Sequence, residues 1–350
     1  MPGSDAVSQA IAQLAERRDL TAVLAEEAFA QIMRGEATPV QMSALLMGLR
    51  AKGETAQEVA GAVRALRGAM QRVTVDGPAA LVDTCGTGGG KVTTFNISTA
   101  AAFLTAGAGV RVAKHGNRSF SSQSGSADVL EALGMQLPQS ADHATQLLDA
   151  TGMTFLFAPI FHPAMRHVGP IRRELGVGTI MNMLGPLANP AGVRRQVVGV
   201  ADPARAQLIA DALSQLECDW ALVVYARSGM DEIAHSGPTD VWEVKPGRVT
   251  KSTFDPSGHG LAGGDDHALA GGAPADNALI VRDILSGKDK GPRRTAVVLN
   301  AAAALLVAGA AKDWKEAIAL AGKAIDSGKA AAVLEKLVAE SKVTKVTEVT

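Results

Sequence analysis

Four stretches of the chain hold residues whose types and spacing suit chemistry. The first is DTCGTGGGKVTTFNIST, residues 83–99, in which a glycine run is followed by Asn96, Ser98 and Thr99. Glycines keep no Cβ between backbone and ligand. Free N–H groups at a following helix start, with hydroxyl and amide side chains beside them, form a site for an anion such as phosphate. The stretch is not a P-loop, because G-x-x-x-x-G-K-[ST] centred on Gly90-Lys91 needs Gly where Cys85 stands and Ser or Thr where Val92 stands. Nor is it G-x-G-x-x-G, since Gly86 and Gly88 are followed by Lys91 in the place of the third glycine. The alternative is a tight strand-to-helix turn capped by Asn96 or Ser98.

The second stretch, Lys114 to Ser126, gathers two permanent cations (Lys114 and Arg118), the His115 imidazole, the amides of Asn117 and Gln123, and five serines directly after an apolar run. A solvated loop would explain the polarity alone. Two such loops, each following a strand, lie on one edge of a sheet and suit a substrate with more than one phosphate. The third stretch, Ser228-Gly229-Met230-Asp231-Glu232-Ile233, sets two carboxylates side by side. Beside a phosphate they would repel it unless a cation lies between, and hard oxygen ligands suit Mg²⁺; the alternative is a solvated turn. The fourth comprises His162-Pro163-Ala164-Met165-Arg166-His167, Arg172-Arg173-Glu174 and Leu184-Gly185-Pro186-Leu187. A guanidinium offers a carboxylate two parallel donors, so an arginine here suits an acidic substrate, with pairing to Glu174 as the alternative. The histidines lack metal-ligand spacing, and no Ser-His-Asp or G-x-S-x-G arrangement is present.

The elements that must position these residues fall into two kinds. Residues 1–72 read as consecutive helices: Thr38-Pro39-Val40-Gln41 and Thr55-Ala56-Gln57-Glu58 are capping boxes, each followed by an apolar stripe at helical spacing. The stripes are core, or one of them a subunit contact. After Asp76-Gly77-Pro78, short apolar runs alternate with helical segments. The strands expected are Leu81 to Cys85, Val110 to Lys114, Thr154 to Ala158, Gln196 to Ala201, Ala221 to Ala226 and Val241 to Val244. Helices are expected at Ser98 to Ala108, Ala127 to Leu133, Ala204 to Leu216 and Thr295 to Ala308. The alternation predicts an α/β fold, a mainly parallel sheet with helices on both faces and ligands beyond the carboxyl ends of its strands. Met165 to Gly185 interrupts the rhythm and suits a return to the helical lobe.

Composition limits what the site can serve. A net charge of -1 from 34 basic and 35 acidic residues supplies no global field for nucleic acid or an anionic membrane, so an anion must be held locally. Aromatics at 3% argue against base-stacking platforms. Hydrophobic residues at 47% of 350 suffice for a sizeable core. Two cysteines without C-x-x-C or metal spacing, no signal-peptide pattern and no membrane-length apolar run lead to the expectation of a cytoplasmic protein.

In this order, the four stretches resemble the anthranilate phosphoribosyltransferase family of nucleoside-phosphorylase-like enzymes. The resemblance runs through GTGG, NIST, KHGNRSFSSQSGSADVLEALG, FLFAPIFHPAMRHVGPIRRELGVGTIMNMLGPLANP, the Asp231-Glu232 pair and LNAAAALLVAG, nearly the whole chain. It implies a small N-terminal helical domain, residues 1–72 completed by about 165–188, and a larger α/β domain, residues 73–164 and 189–350. It also implies a homodimer joined through helical domains. The activity implied is transfer of a phosphoribosyl group from phosphoribosyl pyrophosphate to anthranilate, in tryptophan biosynthesis. For the phosphorylated substrate it implies Gly86, Thr87, Gly88, Gly89, Gly90, Thr94, Asn96, Ile97, Ser98 and Thr99. Lys114, His115, Gly116, Asn117, Arg118, Ser119, Ser121, Ser122 and Ser126 join them from the second loop. For anthranilate it implies Gly86, Asn117, His162, Arg172, Gly185 and Pro186, with Arg172 on the carboxylate. Ser98, Asp231 and Glu232 would hold Mg²⁺, and Lys114 and Arg172 would act in catalysis.

The chain departs from the family's usual GTGGDG at Gly90-Lys91, and has Gln123 where many relatives have Lys. The first change moves local charge toward positive, favouring pyrophosphate and lessening the demand for Mg²⁺ near the loop. Two other readings stay open on the sequence. One is a pyrimidine nucleoside phosphorylase; the other is a non-catalytic relative that binds nucleic acid, against which the near-zero charge and the Asp231-Glu232 pair weigh.

Overall fold

The computed structural model describes residues 5–77, 80–90, 92–119, 123–261 and 263–343; Pro78, Lys91, Ser121 and Ser122 lie outside the described residues. The chain begins with four helices, α1 (Ala6–Ala15), α2 (Ala22–Met33), α3 (Pro39–Lys52) and α4 (Ala56–Gly68). Both expected capping boxes form, Thr38 with Gln41 and Thr55 with Glu58. The fully buried Glu58 also accepts the Leu20 N–H at 2.8 Å and meets Lys52 at 3.1 Å, so one capping carboxylate fixes both the start of α4 and the link between α1 and α2. At Gly61 a Cβ would stand 2.4 Å from the Ala22 carbonyl, and glycine is what lets α4 lie against α2.

The rest alternates strand and helix: β1 (Leu81–Gly86), α5 (Ile97–Gly107), β2 (Arg111–Gly116), α6 (Ser126–Ala132), α7 (Ala141–Thr151) and β3 (Met153–Phe157). Then come α8 (Ala158–Phe161), α9 (Met165–Leu175) and α10 (Met181–Leu184), followed by β4 (Arg195–Gly199), α11 (Pro203–Ser214), β5 (Trp220–Ala226), β6 (Thr239–Lys245) and β7 (Arg248–Phe254). The chain closes with α12 (Pro274–Leu285), α13 (Pro292–Ala308), α14 (Trp314–Asp326) and α15 (Lys329–Glu340). In the arginine-rich segment, Val168, Ile171, Ile180 and Met181 bury in one cluster with Leu24, Phe29, Leu45 and Leu49 of the first four helices. Where the chain crosses between helical lobe and sheet, its passes are tied together, Gln71 N–H to the Phe161 carbonyl at 2.8 Å and Val73 N–H to the Pro190 carbonyl at 3.0 Å.

One seven-stranded sheet has the order β3-β2-β1-β4-β5-β6-β7. It is parallel from β3 through β5, as expected; β6 and the unexpected β7 are antiparallel. Val197, Leu222 and Val224 face Leu299, Ala303 and Val307 of α13, while their neighbours Val198 and Val223 pack with Ile209 and Leu213 of α11. Each such aliphatic side chain contributes about 1.5–3 kcal/mol on burial. The chain leaves β1 toward β2 on one side and returns to β4 on the other, so the loop after β1 sits at the switch point where open α/β sheets form their ligand crevice.

Candidate active site

The glycine loop after β1 turns tightly, with Gly88 and Gly89 at φ of 68° and 80°, left-handed values that suit glycine. Thr87 N–H holds the loop to the Gly199 carbonyl of β4 at 2.8 Å. Over it lies the loop that follows β5. Asp231 Oδ2 accepts the Gly88 N–H at 2.9 Å, and Glu232 Oε1 accepts the Ser98 N–H at the start of α5, at 3.1 Å. The donors a phosphate would seek are thus held by two adjacent carboxylates. A Cβ on Gly86 would stand 2.7 Å from Asp231 Oδ2, and one on Gly199 1.7 Å from the Asp231 carbonyl, so both glycines admit the acidic loop.

Lys114, near the end of β2 and 2% exposed, reaches the same place. Its Nζ donates to the Thr84 carbonyl and to Ser98 Oγ, the latter at 3.2 Å. Behind it is Asp83, fully buried in β1, whose Oδ1 accepts the His115 N–H at 3.1 Å and whose Oδ2 accepts from Asn189 Nδ2 at 2.8 Å. Burial dominates the electrostatics of this group. It pushes Glu232 up to about 8, with Asp231 adding to the rise and Lys114 opposing it. Asp83 is pushed up to about 6 against the pull of Lys114, and Asp231 is also raised against its Gly88 bond. Lys114 is lowered by burial, opposed by Asp83.

Neither Asp231 nor Glu232 forms an ion pair among the described residues, whose salt bridges lie elsewhere. Two unpaired hard carboxylates beside the Ser98 hydroxyl fit Mg²⁺, which keeps several waters and takes substrate phosphates as further ligands. No cluster of three His, Cys, Asp or Glu occurs among the described residues, so a closed all-protein metal cage is not what this donor set builds.

The opposite face of β2 has a different character. Successive side chains of a strand point to opposite faces, and His115 accordingly turns away from Lys114. Its Nδ1 lies 3.0 Å from the Gly185 carbonyl, and its ring packs on that of His162 with centroids 5.0 Å apart. Burial holds both imidazoles neutral, His115 down to about 3 and His162 down to about 4. The adjoining Gly185–Leu187 turn is fixed by Gln196 Nε2, which donates to the Pro186 carbonyl at 3.2 Å. Arg172, in the last turn of α9, is partly buried, and no hydrogen bond or ion pair engages its guanidinium among the described residues. The pairing with Glu174 weighed above does not form, and desolvation lowers the arginine's pKa. It is a partly desolvated cation with no anionic partner among the described residues.

Other residues take different places. Asn96 occupies the cap position of α5 without capping it; its amide bonds the Ser124 carbonyl at 3.2 Å and Asn277 Nδ2 at 3.0 Å instead. Ser98 is no cap either, because its hydroxyl meets Lys114. Thr94 bridges to Ala270, and Ile97 and Thr99 are buried in α5. The Arg118 guanidinium is engaged by Asp128 at 2.6 Å and Glu131 at 2.7 Å, over the Phe157 ring. The Ser119 N–H reaches Asp128, and Ser126 Oγ donates to the Asn117 carbonyl at 3.2 Å. At Gly116 a Cβ would meet Ser126 Oγ at 2.2 Å, so glycine admits that serine. Sequence reading missed Asp83, Thr84 and Asn189; the signal was a carboxylate inside an apolar strand, which is rarely buried without a partner. The cavity of about 240 Å³ between Gly107, Thr151 and Lys329 lies at the far end of α5 and shares none of these residues.

A helical bundle joined to an α/β domain, with a glycine turn at the sheet's switch point, is the arrangement of a glycosyl transferase family. Residues 8–70 match the helical bundle domain of the glycosyl transferase family and residues 78–331 its a/b domain. The chain is 48% identical over 337 residues to the anthranilate phosphoribosyltransferase of Chloroflexus aggregans, covering 96% of this chain and 98% of that one. It is 49% identical over 336 residues to that of Roseiflexus castenholzii, with 96% and 98% covered. The crystal structure of the Thermus thermophilus enzyme superposes with a TM-score of 0.90 at 41% identity, covering 97% of this chain and all of the other. The Saccharomyces cerevisiae enzyme, solved with PRPP and Mg, gives 0.88 at 28% identity, covering 97% and 98%. The chain belongs to the anthranilate phosphoribosyltransferase family, and the nucleoside phosphorylase reading gives way to it.

Proposed function

We infer that the chain transfers the phosphoribosyl group of 5-phosphoribosyl 1-pyrophosphate to the amine of anthranilate, giving N-(5-phosphoribosyl)anthranilate and pyrophosphate. The observation that carries this reading is the end of β2, where Lys114 meets Thr84 of β1 and Ser98 of α5 on one face and His115 meets the Gly185 turn on the other. One strand end would thus border both the phosphorylated substrate and the aromatic one.

Displacing pyrophosphate from the anomeric carbon places positive charge on the ribose and negative charge on the leaving group. Lys114 and the Ser98 hydroxyl would face the negative part, joined by the Gly88 and Ser98 amides once these leave Asp231 and Glu232. Mg²⁺, held by Asp231, Glu232 and the Ser98 hydroxyl, would neutralise the leaving pyrophosphate. Arg172 takes the anthranilate carboxylate, with His162, Asn117 and the Gly185-Pro186 turn shaping the ring's place. An aromatic amine is already a neutral nucleophile near pH 7, so positioning carries much of the rate. Closure of the helical lobe, residues 1–72 with 165–188, on the α/β part would bring the anthranilate held by Arg172 to the ribose, and the tied crossings near Gln71 and Val73 suit a hinge. Pairing of these lobes between two copies, and a cytoplasmic setting, complete the reading.

The test is direct. Protein, anthranilate, phosphoribosyl pyrophosphate and Mg²⁺ are mixed, and anthranilate fluorescence is followed. Loss of fluorescence that Arg172→Ala slows is expected; no loss, or a variant indistinguishable from wild type, defeats the assignment.

A further inference from the structure

Anthranilate's amine arrives with two protons and leaves with one, so some group must receive a proton as the C–N bond forms. We propose that His115 receives it, through Nε2. The proposal rests on the reading of the site just given.

The tautomer of His115 follows from its partner. The Gly185 carbonyl accepts only, so the nitrogen 3.0 Å from it, Nδ1, must carry the hydrogen. Nε2 then bears the lone pair. It is buried and meets no partner among the described residues, in a side chain only 5% exposed. A buried acceptor without a donor costs free energy and calls for an explanation, of which a catalytic role is one. Its position suits that use: His115 follows Lys114 on β2, and its ring touches His162 and the Gly185 turn. It therefore stands where the phosphate side and the aromatic side meet.

The neighbourhood suits a weak base. The charged and titratable groups around His115 are Lys114 beside it in the chain, His162 against its ring, and Asp83, which accepts its backbone N–H. Burial, then His162 and Lys114, hold the ring neutral, and the Gly185 bond opposes them. A neutral ring has a free lone pair at working pH. Weak basicity is sufficient, because an arylammonium formed at nitrogen is itself a strong acid. The balance is simple. The amine lone pair forms the N–C1 bond as C1–O breaks, pyrophosphate takes that electron pair, and one N–H proton passes to Nε2, then to water.

His115→Asn tests this, since its amide preserves a donor toward Gly185 while removing the basic ring nitrogen. Single-turnover product formation at saturating substrates should fall about 100-fold, within the usual range for a general base, with KM for phosphoribosyl pyrophosphate unchanged. His115→Ala should regain part of its rate with added imidazole, and wild type should show a normal solvent deuterium effect on the same step. A His115→Asn protein as fast as wild type, or the absence of both rescue and isotope effect, overturns the proton role while the transferase reading stands. A wild type inert toward anthranilate overturns that reading itself.

Discussion

Gly88 and Asp231, 143 residues apart in the chain, are joined by a 2.9 Å hydrogen bond from the glycine N–H to the carboxylate. The acid of the β5–β6 loop therefore rests on the turn proposed to receive pyrophosphate. Asp231→Asn keeps the shape and removes the charge. Half-saturating Mg²⁺ in initial-rate titrations should rise tenfold or more, the equivalent of about 1.5–3 kcal/mol for a charge-assisted contact. An unchanged titration curve would remove Asp231 from the metal site.

Two glycines beside the same residue should behave differently. Alanine at Gly199 meets the Asp231 backbone at 1.7 Å, which can yield only by moving the strand end, so thermal unfolding should show a loss of about 1–3 kcal/mol. Alanine at Gly86 meets the tip of the Asp231 carboxylate at 2.7 Å, which can rotate away. Gly86→Ala should leave the melting temperature nearly unchanged while raising KM for phosphoribosyl pyrophosphate. Equal destabilisation by both would show that the acidic loop is rigid.

Arg172 separates binding from stability. Its partly desolvated guanidinium is engaged by no other side chain among the described residues, so Arg172→Ala should leave stability within about 0.5 kcal/mol. KM for anthranilate should rise at least tenfold, since a charged hydrogen bond contributes about 1.5–3 kcal/mol. Calorimetry and steady-state kinetics on one preparation check both halves.

The two imidazoles predict acid lability. Their folded values, about 3 for His115 and about 4 for His162, lie below the unfolded value of 6.5. Between those limits the unfolded chain binds protons that the folded chain refuses, so their contribution is complete above pH 6.5 and is lost as pH falls toward 4 and 3. Asp83, raised to about 6, works oppositely: its protonated form is favoured in the fold, and stability falls between its ordinary value of 3.8 and 6 as pH rises. Glu232, raised to about 8, works as Asp83 does, so the imidazole share is read as a difference: from pH 7 to pH 5, urea unfolding should show His162→Gln losing less stability than wild type. A variant as acid-sensitive as wild type would contradict the buried-imidazole account.

Local rules made much of the architecture legible. Thr38 with Gln41 and Thr55 with Glu58 announced their helices because capping depends on four adjacent residues. The apolar strands β1 to β6 were legible for a similar reason, since burial shows directly in periodicity. β7 was not, because Arg248, Lys251, Ser252 and Thr253 lie on a solvated edge with no apolar alternation. The use of Asn96 for Ser124 and Asn277 depends on a partner 181 residues away, beyond any local pattern. At the site, residue types pointed to anion chemistry, whereas the Asp83–Asn189 link and the facing of His115 toward Gly185 needed the fold to bring strands together.

The pleat of β2 sets a rule for divergence. Lys114 pairs in register with Phe155 and His115 with Leu156, and neighbouring positions on a strand cannot exchange faces without a slip of the whole ladder. Insertions or deletions within β2 would therefore exchange a cation for an imidazole at both substrates at once. Substitutions on the His115 face, by contrast, can remodel which aromatic acceptor is taken while the donor machinery around Lys114 persists. Descendants of this scaffold would thus find new acceptors more readily than new phosphorylated donors.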